Sequence, residues 1–466
     1  MEKPDRRNLS IGKGHGNVGA IGANTTHVAE GFSPPKGGLK AAPAPKPGLI
    51  KNDRRNPEII QGNTLMGKAV FQNASIAGIH LKNRIIRSAT HEGLADDQGA
   101  PTERLKKLYV RLAKGGVGAI VTGYAGVQAD GKTCFVNMTM MDRDDLIPAY
   151  QAITDAVHEY GTPIIMQVAH CGRQTRSAVT GLPTVAPSAI RDPFYNEDKP
   201  KALTEDGIQE LIGHFVAAIV RARQAGFDGV QLHMAHGYLL AQFLSSWSNR
   251  RQDQWGGSTE NKYRIVGEIF KRAREKVGDF PILVKTNAYD GRPNGMRVDE
   301  AVTIARMLEA SGCAAIEVSC GVIADQMHIV RGERLPAEAV MAYTFRYKKL
   351  PGLVKKAAIP LARRFIPQPK PIVKYNVDAA IQIKKAVTIP VIVVGGIHTI
   401  GDIDDIITRT DIDFVSMSRP FIIEPDIVEK FKTGTQTESK CTKCNYCAII
   451  QESLPLRCYY GKPPKT

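Results

Sequence analysis

The sequence predicts an α/β protein whose main domain, residues 61–435, is a (β/α)8 (TIM) barrel. Eight short runs of apolar and β-branched residues follow one another along this stretch. Amphipathic segments lie between them, and the runs themselves are almost continuously apolar. Strands of a parallel barrel are buried on both faces and have this composition. The alternative is a doubly wound open sheet, but no glycine fingerprint for a dinucleotide follows the first run.

The predicted strands, in chain order, cover residues 83–89, 117–123, 162–170, 227–233, 281–287, 314–319, 390–396 and 413–418. Helical periodicity is clear in residues 145–161, 207–229 and 299–313 between them. Gly226 and Gly312, near the ends of the last two segments, are of the residue type that commonly ends a helix.

Three further segments flank or interrupt the barrel. Residues 1–60 are rich in Gly, Pro, Lys and Asn without apolar periodicity, which predicts a flexible, disordered basic arm. The connection after the sixth strand, residues 322–375, is far longer than such loops usually are and forms a basic insertion. Residues 436–466 form a cysteine-rich tail.

The net charge of +16 is concentrated in two of these segments. The arm holds ten basic and five acidic residues, and residues 326–376 hold eleven basic and two acidic residues. Because the remaining chain is close to neutral, a nucleic-acid partner is not expected. The charge indicates an acidic electron-carrier protein, an anionic substrate or a membrane surface.

The sequence also bears on location. No apolar run reaches the roughly 18 residues that a membrane-spanning helix needs, and the N-terminus lacks a secretory signal. We therefore expect a cytoplasmic protein, with peripheral membrane contact as an option. Residues 346–366 of the insertion alternate paired cations with apolar residues, and we expect Pro351 and Pro360 to interrupt any continuous helix there. This segment is interpreted first as a lid over the substrate pocket, and second as a membrane contact or a docking site for a carrier.

Polar residues follow nearly every predicted strand, at the barrel end where enzymes of this fold place catalysis. After the seventh and eighth strands, Gly395, Gly396 and Arg419 suit a phosphate site; alternatively, the glycines form a tight turn and the arginine a surface ion pair. After the fourth strand, His233, His236 and Tyr238 can converge as hydrogen-bond donors. The two histidines could donate hydrogen bonds to a substrate oxygen, with Tyr238 as proton donor, although such histidine pairs are more often structural.

These motifs resemble the Old Yellow Enzyme family of flavin-dependent ene-reductases over residues 65 to 430. The matching stretches are LKNRIIRSAT, QVAHCGR, HxxHGYLxxxFLSxxSNxRxDxxGGSxEN, PVIVVGGI and DFVSMSRP. The resemblance implies an FMN across the top of the barrel and hydride transfer to or from an activated C=C bond of an enone or enoyl thioester. His233 and His236 would bind the substrate carbonyl oxygen while Tyr238 protonates the α-carbon.

The resemblance also implies roles for the residues around the flavin. Ser88, Ala89, Thr90 and Gly123 would lie beside its N5 and C4 carbonyl, and Gln167 along its pyrimidine edge. Lys285 stands near N1 where the family usually has Arg, and keeps the charge without the planar fork. Gly395, Gly396, Ser418 and Arg419 would hold the phosphate. Ala89 replaces a common Pro, and Ser418 a usual Gly.

The tail carries the spacing C-x2-C-x2-C-x10-C, formed by Cys441, Cys444, Cys447 and Cys458. Three cysteines at three-residue steps suit a [4Fe–4S] cluster, and zinc is the alternative metal. The family branch that resembles trimethylamine dehydrogenase and 2,4-dienoyl-CoA reductase has a similar motif after its barrel. The flavin would then receive electrons either from NAD(P)H or from an external carrier protein or subunit. A second reading is an electron-transfer subunit, or a dehydrogenase of an amine-type substrate, without ene-reductase activity.

Overall fold

The computed structural model describes residues 67–195, 199–323, 331–333, 335–365 and 371–461, so the predicted arm lies outside the described residues. Eight parallel strands form a barrel, as predicted. In chain order, the barrel strands are Ile85–Arg87, Ala119–Val121, Ile164–Ala169, Gly229–Met234, Ile282–Asn287, Ile316–Ser319, Val391–Val394 and Phe414–Met417.

The register of the strands closes the barrel. Each strand pairs with the next one in the chain, and the eighth returns to the first with Val415 opposite Ile85. A short strand, Ala125–Gly126, extends the sheet beside the end of the third barrel strand. Because all strands run in the same direction, their carboxyl ends meet at one face of the barrel.

Helices surround the barrel strands. The longer ones are Glu103–Lys114, Ile147–His158, Glu205–Gln224, Thr259–Val277, Val298–Ala310, Val377–Lys384 and Ile400–Arg409. Shorter ones are Ser177–Thr180, Leu239–Leu244, Arg419–Ile423, Ile427–Lys432 and Tyr446–Ile450, with 3-10 turns at Ala129–Gly131 and Asp144–Leu146. Gly226 and Gly312 follow their helices with φ of 78° and 82°, which confirms the predicted helix ends.

A hairpin closes the amino-terminal end of the barrel. Its strands, Ala74–Ile76 and Ile79–Leu81, pair antiparallel. Ile76, Ile79 and Leu81 belong to one buried cluster with barrel residues such as Leu283 and Phe414. This apolar plug leaves the opposite, carboxyl-terminal end for polar chemistry. Two further short strands, Val185–Ala186 and Lys201–Ala202, pair with each other.

The insertion contains two helices, Ala337–Tyr343 and Gly352–Phe365. The prediction that Pro360 interrupts a continuous helix here was wrong, because the second helix runs through it, whereas the helix does begin only after Pro351. Pro351 precedes the first helical residue, where a missing N–H costs nothing. Pro360 removes one main-chain hydrogen bond, to the carbonyl of Lys356, but both residues are exposed and that carbonyl can bind water. Among the described residues, no helix is long and apolar enough to cross a membrane.

Candidate active site

A cavity opens at the carboxyl ends of the barrel strands, where the sequence placed the chemistry. Most of the predicted residues line it: Ser88, Ala89, Thr90, Gln167, His233, His236, Tyr238, Lys285, Gly395, Gly396, Ser418 and Arg419. Gly123 is not among the lining residues. Its N–H donates to Glu92 Oε1 at 2.9 Å, and a Cβ at Gly123 would collide with that carboxylate.

The fourth barrel strand and the turn after it bring two histidines and a tyrosine together. The rings of His233 and Tyr238 lie 4.7 Å apart, and those of His233 and His236 lie 5.1 Å apart, each pair nearly perpendicular. His236 has φ of 62°, uncommon for a residue with a side chain, and Gly237 has φ of 79°. These left-handed residues reverse the chain directly after the strand, which returns Tyr238 to His233. Such local strain is typical of functional sites.

Both histidines are neutral at physiological pH. Burial, followed by the charges of His236 and Lys285, lowers the pKa of His233 well below its usual value. Burial and Lys285 lower the pKa of His236 to about 3. The N–H of Ala235 donates to His233 Nδ1 at 3.3 Å, which leaves the ring hydrogen on Nε2. A neutral imidazole donates one hydrogen bond, and His236 Nε2 bonds Ser319 Oγ at 2.8 Å. With Ser319 donating to that nitrogen, His236 carries its hydrogen on Nδ1, and the pair suits a substrate oxygen without adding positive charge.

Tyr238 has a partner that sequence reasoning did not assign. Its hydroxyl donates to the hydroxyl of Tyr124 at 3.2 Å, and the Tyr124 ring stacks on His91 with a centroid distance of 5.3 Å. Burial is the main reason that the pKa of Tyr238 and that of Tyr124 both lie above the usual value. Both phenols therefore hold their protons at neutral pH.

Lys285 forms a buried ion pair on the floor of the cavity. Its ammonium lies 3.2 Å from a Glu317 carboxylate oxygen and donates to Ser88 Oγ at 2.8 Å. Glu317 also accepts from Ser88, Ser416 and Gln231 at 2.6–2.8 Å. Burial alone would raise the pKa of Glu317, but the Lys285 charge and these donors outweigh it and lower that pKa. Glu317 is therefore ionised and offsets much of the Lys285 charge.

The same network reaches Gln167. Gln167 Nε2 donates to Gln231 Oε1 at 2.7 Å, and Gln231 Nε2 donates to Glu317. The Glu317 carboxylate on the sixth strand thus orients the Gln231 amide, and the Gln231 amide orients that of Gln167 on the third strand. Sequence reasoning missed Gln231 and Glu317. A carboxylate inside the apolar run AAIEVS was the available signal, because ionised groups are rarely buried without partners.

A second buried ion pair lies behind the loop after the first strand and holds that loop in place. Arg87 donates to Glu92 at 2.7 Å, and Tyr109 donates to the same carboxylate oxygen at 2.8 Å. Glu92 also holds the Gly123 N–H, so it joins the loops after the first and second strands. His91, next to Glu92, lines the cavity and bonds the Val136 carbonyl at 2.9 Å.

The loops after the seventh and eighth strands form one wall of the cavity. Gly395 and Gly396 have φ of 135° and 69°, and added Cβ atoms would lie 2.6 Å from the Tyr375 ring and 2.2 Å from the Ile372 carbonyl. Only glycine permits this close approach to the end of the insertion. Ser418 Oγ lies 2.7 Å from Thr90 Oγ1.

Among the described residues, Arg419 does not form the surface ion pair that the sequence left open. It donates to Asn445 Oδ1 and to the Arg331 carbonyl, both at 2.9 Å. His398 lines the cavity nearby and is buried, yet its Nδ1 has no hydrogen-bond partner among the described residues. Burial and the charges of Arg419 and Lys443 lower the pKa of His398 to about 3. This wall is electropositive and holds an unused polar atom.

The four tail cysteines, Cys441, Cys444, Cys447 and Cys458, line one small cavity beside Arg419. All four are free thiols, and Cys447 also lines the main cavity. Lys443 and Asn445, between the cysteines, have φ of 58° and 62°. Gly332 of the insertion packs so closely that an added Cβ would lie 2.2 Å from the Lys443 carbonyl. Within the described part of the chain, no three His, Cys, Asp or Glu side chains stand close enough to hold a single metal ion.

Comparison with known proteins matches the chain to a family model described as NADH:flavin oxidoreductase / NADH oxidase, over residues 69–359 and 337–438. The chain is 35% identical over 398 residues to an NADH oxidase of Thermoanaerobacter brockii, which covers 84% of the chain and 55% of that relative.

The chain belongs to the NADH:flavin oxidoreductase / NADH oxidase family.

The chain is also similar to another curated protein and to solved structures. A metal reductase of Desulforamulus reducens is 32% identical over 379 residues, covering 81% of the chain and 50% of that protein. The solved structure of an Old Yellow Enzyme homologue from Zymomonas mobilis superimposes with a TM-score of 0.63 at 25% identity, covering 83% of the chain and 99% of that structure. A 2-naphthoyl-CoA reductase complex gives a TM-score of 0.71 at 24% identity, covering 84% and 56%. The predicted resemblance and barrel are confirmed.

The chain spans about half the length of the first curated relatives it matches. The family is flavin-dependent and includes enzymes named for NADH and NADPH. The family to which the chain belongs is therefore one of flavin oxidoreductases.

Proposed function

We propose that the chain is an FMN-dependent oxidoreductase that reduces the activated C=C bond of an enone or enoyl thioester. The observation that carries this is the convergence of two neutral histidines, His233 and His236, and a protonated phenol, Tyr238, in one cavity. Bound at this site, the reduced flavin supplies a hydride to the β-carbon of the substrate.

The protein side chains prepare the substrate for that hydride. The two imidazoles donate N–H groups to the carbonyl oxygen, and negative charge that develops on the oxygen strengthens both hydrogen bonds. The Tyr238 hydroxyl gives its proton to the α-carbon. Hydride and proton together make the saturated product, and the phenolate recovers its proton from Tyr124 or from solvent.

The cavity walls suit FMN. Ser88, Ala89 and Thr90 line the side that would hold its reactive edge, while Lys285 and the oriented amide of Gln167 would hold the pyrimidine ring. Gly395, Gly396, Ser418 and Arg419 would form the phosphate wall, to which we add His398. Its unpartnered Nδ1 beside two cations is the atom that a phosphate would satisfy.

We further propose a [4Fe–4S] cluster on Cys441, Cys444, Cys447 and Cys458, with zinc as the rival. The support is that four free thiols line one cavity and that two left-handed residues bend the chain between them. Cys447 lines both cavities, which suits electron exchange between the cluster and the flavin. An electron-carrier protein or subunit would then serve as donor, with NAD(P)H as the direct alternative.

An amine-type dehydrogenase is the second candidate. It is favoured by a relative named N,N-dimethylglycine/sarcosine dehydrogenase, from Chromohalobacter salexigens, which is 29% identical over 409 residues and of which the chain covers 54%. Aromatic rings of Tyr124, Phe135 and Tyr238 line the cavity and can contact a methylated ammonium. The neutral imidazoles of His233 and His236, which can donate to a carbonyl oxygen, favour the first candidate.

One anaerobic experiment separates the candidates. The purified chain is assayed for flavin, iron and sulfide, then mixed rapidly in the reduced state with cyclohexenone or crotonyl-CoA, and in the oxidised state with sarcosine. Reoxidation by the unsaturated carbonyl compounds is the expected result. Flavin reduction by sarcosine alone would favour the dehydrogenase, and inertness toward all three would favour an electron-transfer subunit. Zinc, or no metal, in the purified chain would rule out the proposed iron–sulfur cluster.

A further inference from the structure

The helix Gly352–Phe365 carries an exposed apolar face. Of the eleven large apolar side chains that are exposed in the described part of the chain, seven lie between Tyr347 and Val373. Within the helix, Leu353 is 83% exposed, Leu361 61% and Val354 48%. Leu353 and Leu361 are two turns apart on one face, with Val354 beside them. We call this face, Leu353, Val354 and Leu361, the apolar stripe.

The other side of the helix faces the protein. Ala358, Ile359 and Ala362 are partly buried, and the helix packs against Ala337–Tyr343. Arg363 and Glu338 form an ion pair across this contact. The helix is thus held with its larger apolar residues outward, the reverse of an ordinary surface helix. An apolar face exposed in this way indicates a binding surface.

Positive charge is concentrated in the segment that carries the apolar stripe. Residues 346–364 contain seven cations and no acidic residue, namely Arg346, Lys348, Lys349, Lys355, Lys356, Arg363 and Arg364. Lys356 and Arg364 are exposed on the helix itself. An apolar face rimmed by cations complements a bilayer surface, where acyl chains lie beneath anionic headgroups.

We propose that the helix Gly352–Phe365 is a docking face for an anionic membrane surface, with the apolar stripe entering the boundary between headgroups and acyl chains. Beneath the helix, Ala337–Tyr343 packs against Tyr446–Ile450, and Ile449 lines the active-site cavity. Two layers of helix therefore separate the docking face from the cavity, so docking holds the reaction site close to the lipid.

Co-sedimentation of the full chain with vesicles tests this. The chain should pellet with phosphatidylcholine vesicles that contain phosphatidylglycerol, and much less with phosphatidylcholine alone or at high salt. Leu353→Asp combined with Leu361→Asp should weaken binding on the order of tenfold or more, as should Lys356→Gln combined with Arg364→Gln. Leu182→Asp is the matched control, because Leu182 is an exposed leucine elsewhere, at 43%, and should pellet like the wild type.

Equal pelleting of the wild type and the double aspartate variant would overturn the proposal, as would no pelleting with any vesicle. Binding of an acidic electron-carrier protein that depends on the same leucines, without vesicle binding, would assign the face to a protein and also overturn it. None of the substituted residues lines the active-site cavity. Flavin content and turnover should therefore stay at the wild-type level, and a failure of lipid binding leaves the proposed reaction untouched.

Discussion

The hydroxyl of Tyr238 lies 3.2 Å from the hydroxyl of Tyr124, and both phenols are buried. They follow the fourth and the second barrel strand, 114 residues apart in the chain. In the proposed reaction Tyr124 would return a proton to Tyr238 after each transfer, because burial keeps both phenols protonated. The pair is the proton-transfer path that we propose beside His233.

Tyr238→Phe should slow reoxidation of the reduced flavin by cyclohexenone about 10²- to 10⁴-fold, the usual contribution of a general acid. Flavin content should not change, because the ring packing against His233 is kept. Tyr124→Phe should have a smaller effect, since solvent can still reprotonate Tyr238. Rapid-mixing absorbance measurements give both rates, and an unchanged rate in Tyr238→Phe would exclude it as the proton donor.

Glu317→Gln should raise the reduction potential of the bound flavin. The substitution removes a buried negative charge beside Lys285, so the cation is less offset and favours the anionic reduced flavin. We expect a shift on the order of 30 mV or more, measured by spectroelectrochemical titration. Ser416→Ala, which removes one neutral donor to Glu317, is the control and should shift the potential much less. A fall in potential in Glu317→Gln would contradict this role.

Glu452→Gln should be more stable than the wild type at pH 8, and this advantage should be absent at pH 4.5. Burial raises the pKa of Glu452 to about 7 against the partial compensation of the Phe345 N–H and nearby cations. Between pH 4.5 and 7 the folded state holds a proton that the unfolded state has lost, so the wild type loses stability as pH rises through this window. The loss is about 1 to 3 kcal/mol by pH 8, and the glutamine avoids it.

Urea unfolding at the two pH values measures this difference. Glutamine keeps an acceptor for the Phe345 N–H, which donates to Glu452 at 3.0 Å. Glu275→Gln, at an exposed position of the helix Thr259–Val277, is the matched control and should leave the pH dependence as it is in the wild type. A parallel pH dependence in the Glu452→Gln variant and the wild type would show that this carboxyl does not set it.

Cys447→Ser should lower the iron and sulfide content of the anaerobically purified chain and slow electron delivery from an external carrier. Cys447 lines both the main cavity and the cysteine cavity, so this residue belongs to both proposed cofactor sites. Cys313→Ser is the control, because Cys313 is a buried free cysteine outside both cavities and should leave iron unchanged. Equal iron in the two variants would count against the cluster.

The barrel and much of the cavity could be predicted from the sequence because each strand carries its own local signal. Each apolar run marks a strand, and the polar residue after it falls at the same end of a parallel barrel. His233, Gln167, Lys285 and Arg419 were found in this way, without knowledge of strand register.

Relationships between distant residues could not be predicted. The pairing of Tyr124 with Tyr238 and of Lys285 with Glu317 depends on register and side-chain direction, which a single sequence does not show. The helix through Pro360 was missed for a different reason. Proline destabilises a helix without excluding one. Here the destabilisation is small, because the carbonyl that loses its hydrogen bond is exposed and can bind water.

Arg419 reaches two segments that lie far apart along the chain, the Arg331 carbonyl of the insertion and the Asn445 amide of the cysteine loop, while its side chain also lines the main cavity. A single guanidinium therefore belongs to both proposed cofactor sites. Replacing Arg419 would disturb the phosphate wall and the cysteine loop together.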